Sequence, residues 1–448
     1  MSVSARGKEH DREIWRLAIP AFLALVAEPL FLLSDAAIVG HLGTPELAGL
    51  GIAGAVLQTA VGLCIFLAYG TTASVARYLG AGDRSRALAQ GIDGIWLAVI
   101  IGVLVTIAGV ALTEPLVAAF GAGSEVSEQA TTYLRIAFLG TTPLLVMLAT
   151  TGVLRGLQDT RTPLVVAVAG NALNVLLNLL LVYGVGGFDG LGIAGSALGS
   201  VLAQIASAAG LLAVVVRAAR REGAPLRPDR AGIRAAARAA VALVIRTLTL
   251  RAALLVTTYA VAAGATGDDG AVDLATHQLA LTLWSFLAFV LDAIAIAAQA
   301  ITGRYLGAGD VETTRAVTRR MVRWGVISGV VTGLGLAASS PWLGALFTGD
   351  ADVRDRLVPV LLIAALGQPI AGVVFVLDGV LIGAGDGTFL AWAGTAVFVV
   401  YAPLAMLAAV AGGGLLGVWV VFAGVFMGAR FVALVGRARG DRWLVTGT

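Results

Sequence analysis

The sequence predicts an all-α membrane protein: twelve transmembrane helices in two six-helix bundles related by a parallel internal repeat. Three observations lead there. Of 448 residues, 58% are hydrophobic and only 13% charged, where soluble domains average about 25% charged. The apolar excess is not spread evenly but recurs as nearly uncharged stretches of about 20 residues or more, the length that crosses a hydrocarbon layer of roughly 30 Å as a helix. Finally, one seven-residue motif occurs twice, half a chain apart. The 58 glycines fit the same picture, because small residues let helix backbones approach closely in lipid.

The first predicted span, 14–39, follows a start from Met1 to Arg16 that carries both signs of charge and lacks a small-residue cleavage pattern. It is therefore expected to be retained rather than removed as a signal peptide. The second span, 47–76, runs into Arg77, Arg84 and Arg86, and the third, 87–111, stops before Glu114. The fourth, 128–152, is followed by Arg155 and Arg161; the fifth and sixth, 162–184 and 190–216, flank Asp189. A segment at 217–240 with seven arginines then separates an N-lobe, 1–216, from a C-lobe, 241–448. The seventh span, 241–263, precedes Asp268 and Asp269, and the eighth, 272–302, leads to Arg304. The ninth, tenth, eleventh and twelfth are 314–337, 355–382, 388–409 and 412–433, and Arg430 at the end of the last groups with Arg437, Arg439 and Arg442 as a C-terminal basic cluster. Basic residues thus collect at alternate ends of the spans while the intervening connections are acidic. By the positive-inside bias, both termini and the 217–240 linker are expected in the cytoplasm.

The repeat supports this arrangement independently. Arg-Tyr-Leu-Gly-Ala-Gly-Asp stands at 77–83 and again at 304–310. Gly152-Val153-Leu154-x-Gly156-x-x-Asp159 recurs as Gly379-Val380-Leu381-x-Gly383-x-x-Asp386, displaced by the same offset that carries Arg77 to Arg304. Both heptads follow the second span of a half, so the halves are expected to have the same orientation, related by an axis along the membrane normal, as in two-lobed transporters. Asp83, Asp159, Asp310 and Asp386 fall in the loops, where they are expected to cap helices or pair with nearby Arg.

Several function classes are excluded or disfavoured. A pI near 9.3 suggests nucleic acid, but the basic residues lie in short clusters between apolar runs. The single cysteine, Cys64, rules out an intrachain disulfide and a cysteine-cluster metal site. His10, His41 and His277 are far apart in sequence, and Gly412-Gly413-Gly414 lacks the Lys-Ser/Thr of a phosphate loop. No enzyme is indicated. A lipid-linked oligosaccharide flippase of related architecture is one alternative; a membrane receptor or embedded enzyme is another, for which neither a soluble signalling domain nor a catalytic cluster is visible.

Carboxylates inside membrane spans are costly and so point to function. Those here are Glu28, Asp35, Asp292 and Asp378. Asp35 is placed to take and release a proton as its surroundings dry and hydrate, since desolvation disfavours the charged form. The alternative is a packing element hydrogen-bonded to backbone or Asn. Glu28 lies two turns back on the same helix face, followed by Pro29, which removes a helix hydrogen bond; it either joins the Asp35 cavity or merely reaches a hydrated region beside a kink. Asn171, Asn174 and Asn178 are spaced i, i+3, i+7 and so share one face, from which their amides can bridge to Asp35 in either protonation state or act as interhelical glue. In the C-lobe, Asp292 and Gln299 lie seven apart. With Asp378 and with Trp284, Phe286, Phe289 and Phe375 they are candidates for an acidic, aromatic cavity that attracts organic cations; packing or lipid contact is the other reading of the aromatics.

The run Pro29-Leu30-Phe31-Leu32-Leu33-Ser34-Asp35-Ala36-Ala37-Ile38-Val39-Gly40-His41-Leu42-Gly43 closely resembles the multidrug and toxic compound extrusion family, DinF branch. Both Leu-Gly-Ala-Gly-Asp loops, the Gly152–Asp159 segment, Asn171 to Asn178, Leu291-Asp292-Ala293 and Asp378 to Gly383 extend the resemblance from about residue 20 to about 390. It implies a cation-coupled antiporter that expels small organic compounds, often cationic and amphipathic. The two-lobed architecture itself suggests alternating access, in a multi-pass inner-membrane protein expected to act as a monomer. A central cavity between two lobes is implied, with a cation as the coupling ion. The residues themselves favour H+ over Na+, because with Asn178 in place of a second carboxylate a sodium ion has fewer anionic ligands beside Asp35, and no other cofactor is expected. The resemblance also implies that Asp35 couples ion binding to substrate release. The sequence departs from the family pattern at Asn178, where an Asp is common.

Overall fold

With no water inside lipid to satisfy backbone groups, apolar runs of this length fold as helices. The computed structural model describes residues 3–264 and 269–448. The first half holds α1 (Val3–Gly40), α2 (Thr44–Leu63), α3 (Phe66–Gly80), α4 (Arg84–Ala111), the short α5 (Thr113–Ala118), α6 (Ser124–Ala137), α7 (Thr141–Gly156), α8 (Arg161–Tyr183) and α9 (Ile193–Arg221). The second holds α10 (Arg230–Gly264), α11 (Asp269–Gly307), α12 (Val311–Phe347), α13 (Ala351–Gly383), α14 (Gly387–Ala408), α15 (Gly414–Val421) and α16 (Met427–Arg439). Between α8 and α9 a two-residue hairpin pairs β1 (Gly184–Val185) with β2 (Phe188–Asp189).

The predicted second span is α2 plus α3, broken at Cys64 and Ile65, and the fourth is α6 plus α7 joined by a turn of 3-10 helix. The eleventh and twelfth form one helical stretch, Gly387–Arg439, by length and composition. Inside it Ala411 and Gly412 leave helical geometry, and Gly412 and Gly414 take φ of 86° and 51°. Those left-handed torsions suit glycine alone and divide the stretch, giving twelve apolar crossings among the described residues. The outward loop expected to carry Asp268 lies outside the described residues.

Two contact units result, one of residues 19–240 and one of 241–447 joined by the start of α1 up to Ala18. The sequence assigns that start to the first half. Its polar residues explain the grouping: Asp11 pairs with Arg320 and accepts from Trp324 Nε1 at 2.7 Å, and Glu13 meets Arg304 at 2.5 Å. The 217–240 segment resolves into the end of α9, a loop and the first turns of α10. Buried Asp93 on α4 accepts from the Asp229 N–H at 2.9 Å, and Trp96 donates to the Leu226 carbonyl at 3.1 Å, tying this loop to α4.

The repeat survives in three dimensions within each unit. Asp83 and Asp310 donate their N–H groups back to Tyr78 and Tyr305 at 3.1 and 3.0 Å, after Gly82 and Gly309 at φ of 80° and 75°. Their carboxylates cap the next helix, accepting from Arg86 and Thr313 N–H, both at 2.9 Å. Hydrogen bonds from Thr313 hold the Asp310 carboxyl below the usual range. Asp159 caps α8 through Arg161 and Thr162, whereas Asp386 pairs with Arg437 at 2.6 Å. In the first unit Gly152 and Gly156 of α7 bring their Cα atoms against the carbonyls of Ala68 and Thr72 on α3; in the second, Gly379 and Gly383 of α13 do the same to Ala295 and Gln299 on α11. Every member of these contacts is displaced from its counterpart by the offset of the motifs themselves, so the packing is duplicated together with the sequence.

Candidate functional site

In the first unit α1, α6, α8 and α9 bring polar side chains to one buried point. Asp35 of α1 is 3% exposed. Its Oδ1 accepts from Asn178 Nδ2 at 2.7 Å and from Ser196 Oγ at 2.5 Å, and its Oδ2 from the Tyr133 hydroxyl at 3.0 Å. Asn174 stands behind Asn178, its Oδ1 3.4 Å from Asn178 Nδ2, and donates to Ser200 Oγ at 3.0 Å. Tyr133, Asn174, Asn178, Ser196 and Ser200 are all buried. Among the described residues Asn178 Oδ1 has no hydrogen-bond partner, and it lies beside Gly199, where an added Cβ would come within 2.2 Å.

Three donors on one carboxylate satisfy its ionised form, and among the described residues these partners are two hydroxyls and an amide rather than a cation. A buried charge of this kind persists only at a desolvation cost, which an arriving proton removes. Both hydroxyls can reverse from donor to acceptor when it arrives. The arrangement can therefore hold Asp35 in either state without moving backbone.

Of the residues singled out in the sequence for this half, the structure brings Asp35, Asn174 and Asn178 together and places the others apart. Asn171, though on the same helix, donates instead to the Ala27 carbonyl at 2.7 Å. Glu28 is exposed. Tyr133, Ser196 and Ser200 are additions that only the fold supplies; Ser196 and Ser200 share the i, i+4 spacing of Asn174 and Asn178, a pattern that marks a polar helix face.

The second unit differs from the acidic cavity that the sequence suggests. Asp378 of α13 is buried, and its Oδ2 is ion-paired to Arg246 of α10. Its Oδ1 stands 3.6 Å from Nη2 of Arg430 on α16. The charge pattern groups Arg430 with the C-terminal basic residues, but its side chain is only 12% exposed and faces Asp378. Asp292 is partly buried and lies close enough to act electrostatically on Arg430. Gln299 is buried on α11, with its carbonyl against Gly383. Trp284 belongs to the core: it packs on Phe422 and Phe375 with ring centroids 5.2 and 6.4 Å away, and Tyr401 and Phe426 continue the stack. Of the predicted aromatics, Phe286 is the exposed one, at 47%.

Comparison with known proteins adds to this geometry. A family model described as MatE matches residues 20–180 and again 248–407, one copy in each half. Protein DETOXIFICATION 44, chloroplastic, of Arabidopsis thaliana is 31% identical over 446 residues, covering 94% of this chain and 81% of that protein. DNA damage-inducible protein F of Escherichia coli (strain K12) is 28% identical, covering 84% and 82%. The probable multidrug resistance protein NorM of Thermotoga maritima is 26% identical, covering 84% and 81%. Among solved structures, a MATE protein in a bent conformation superimposes with a TM-score of 0.87 over 97% of this chain and 96% of its own, at 22% identity.

Proposed function

The chain belongs to the MatE family of multidrug and toxic compound efflux transporters, and from that membership we propose that it exports small organic compounds in exchange for protons, with Asp35 as the proton carrier. Membership sets the flippase, receptor and enzyme alternatives aside. It leaves open the coupling ion and the compounds, which the two polar sites inform.

The observation that carries the proton reading is the direction of the groups around Asp35. Asn178 presents its amide N–H, and Tyr133 and Ser196 present O–H groups. The amide oxygen of the same side chain, Asn178 Oδ1, which could otherwise ligate a hard cation, lies instead beside Gly199. A sodium ion prefers several oxygen ligands. The Tyr133 and Ser196 hydroxyls can supply theirs, but Asn178 turns its N–H rather than its oxygen to the site, and no second carboxylate is present among these partners. A proton needs only the carboxylate. Asp378 supports the same choice, because its charge is already balanced by Arg246. That balance also favours amphipathic over simple cationic compounds as cargo. The charge pattern supports placing both termini in the cytoplasm of an inner membrane.

Proteoliposomes loaded with one dye from a panel of amphipathic fluorophores, tested under a pH gradient and a sodium gradient separately, examine the proposal. Wild type is expected to export dye under the pH gradient. Asp35→Asn, which mimics the neutral form, is expected to keep dye binding and lose gradient-driven efflux. Full pH-driven efflux by this variant would move the proton to another residue.

A further inference from the structure

Two arginines inside apolar spans require an explanation that Asp35 does not provide, since each guanidinium costs several kcal/mol to bury. Arg246 and Arg430 line one pocket of the second unit, with Asp378, Thr249, Gly394 and Phe426 among its walls. Their side chains are 14% and 12% exposed. Among the described residues Asp378 is the one acid on the wall, and it is engaged by Arg246. Arg430 reaches it only at 3.6 Å, beyond hydrogen-bond length, with a further charge contribution from Asp292 outside the lining. Arg430 has five N–H donors in a fixed fork that suits carboxylate, sulfonate or phosphate. The ring of Phe426, 5.7 Å from the Arg430 guanidinium carbon, offers apolar surface next to it.

We propose that the pocket between α10, α13, α14 and α16 binds the anionic head group of an amphipathic organic molecule, Arg430 supplying the principal contact and Arg246, held by Asp378, the supporting charge. As a cargo site this rests on the efflux reading above; as a binding site it does not. The head group belongs either to a soluble compound or to a lipid, and the two share this chemistry.

The test uses the full chain in phosphatidylcholine nanodiscs and measures equilibrium binding of 2-naphthoate, its neutral amide and the matching naphthylmethylammonium. Naphthoate is expected to bind about tenfold or more tightly than the amide, the worth of a charge-assisted hydrogen bond. Arg430→Gln is expected to abolish that preference, the naphthoate losing much more affinity than the amide. Removing Arg246 alone would strand Asp378, so the double change Arg246→Gln with Asp378→Asn serves as the second variant and is expected to reduce the preference. Adding phosphatidylglycerol separates the sources: competition with naphthoate assigns the site to lipid head groups, and its absence assigns it to soluble amphiphiles. Asp35→Asn is expected to keep the preference, so failure of proton coupling and failure of this site are distinguishable. Equal binding of the three probes, no binding of naphthoate, or an undiminished preference in both arginine variants would overturn the proposal.

Discussion

Asn178 turns its nitrogen to Asp35 and its oxygen to Gly199, so the glycine decides whether the amide fits. Gly199→Ala would set a methyl 2.2 Å from that oxygen, forcing Asn178 off Asp35 without altering any polar residue. The expected result is loss of one charge-assisted hydrogen bond, worth about 1.5 kcal/mol or more, and a fall of roughly tenfold in pH-driven efflux. Gly210→Ala on the same helix, where nothing lies within 4 Å, is the control that should leave efflux unchanged. At this scale the sequence discloses a residue when its own cost betrays it. Asp35 stands out because a carboxylate in a span is expensive, and Asn174 and Asn178 because their spacing aligns them. Tyr133 and Ser196 are cheap to bury and common in helices, so only the fold shows that they meet Asp35. Arg430 is visible in the sequence, but its position near a helix end reads equally as a cytoplasmic charge.

Helices meet in this protein through glycines of two kinds, and substitution separates them. Gly309 has φ of 75° and open space where a Cβ would go. Gly309→Ala should therefore cost only the backbone strain of a left-handed residue, about 1–2 kcal/mol. Gly379 is helical, but a Cβ there would lie 2.3 Å from the Ala295 carbonyl oxygen. Gly379→Ala must push α13 away from α11 and is expected to cost more, since overpacking adds about 1–3 kcal/mol and can exceed that against backbone. Unfolding by graded denaturing detergent should rank the two variants in that order; equal losses would remove the distinction. Hydropathy and charge locate these elements within a few residues because lipid enforces length and polarity. Hydropathy alone does not reveal the break at Cys64, which does not interrupt the apolar run, whereas the turn at Gly412 falls where the sequence ends one span at 409 and begins the next at 412. The grouping of the start of α1, up to Ala18, with the second unit is likewise hidden, because it depends on Asp11 and Glu13 finding arginines in the far half of the chain.

Across the whole molecule, packing is duplicated but chemistry is not. The glycine contacts of α7 on α3 return in the second half as those of α13 on α11. Carried forward by the offset between Arg77 and Arg304, Asp35 and Asn178 fall on Ala262 and Ala405; carried back by it, Asp378, Arg246 and Arg430 fall on Thr151, Ile19 and Ala203. One half thus keeps a carboxylate among neutral donors, and the other a carboxylate among cations. Of Asp35 and Asp378, the first can exchange a proton without breaking an ion pair, so a mechanism in which Asp35 is the sole carrier predicts one proton per turnover. That sets a thermodynamic ceiling: at zero membrane potential, a difference of one pH unit supplies about 1.4 kcal/mol and can sustain at most a roughly tenfold concentration ratio of an uncharged cargo. Measured in sealed vesicles, the logarithm of the steady-state dye ratio should rise with the pH difference at a slope of about one. A slope near two would require a second titrating group and would reassign work to the half that carries Arg246 and Arg430.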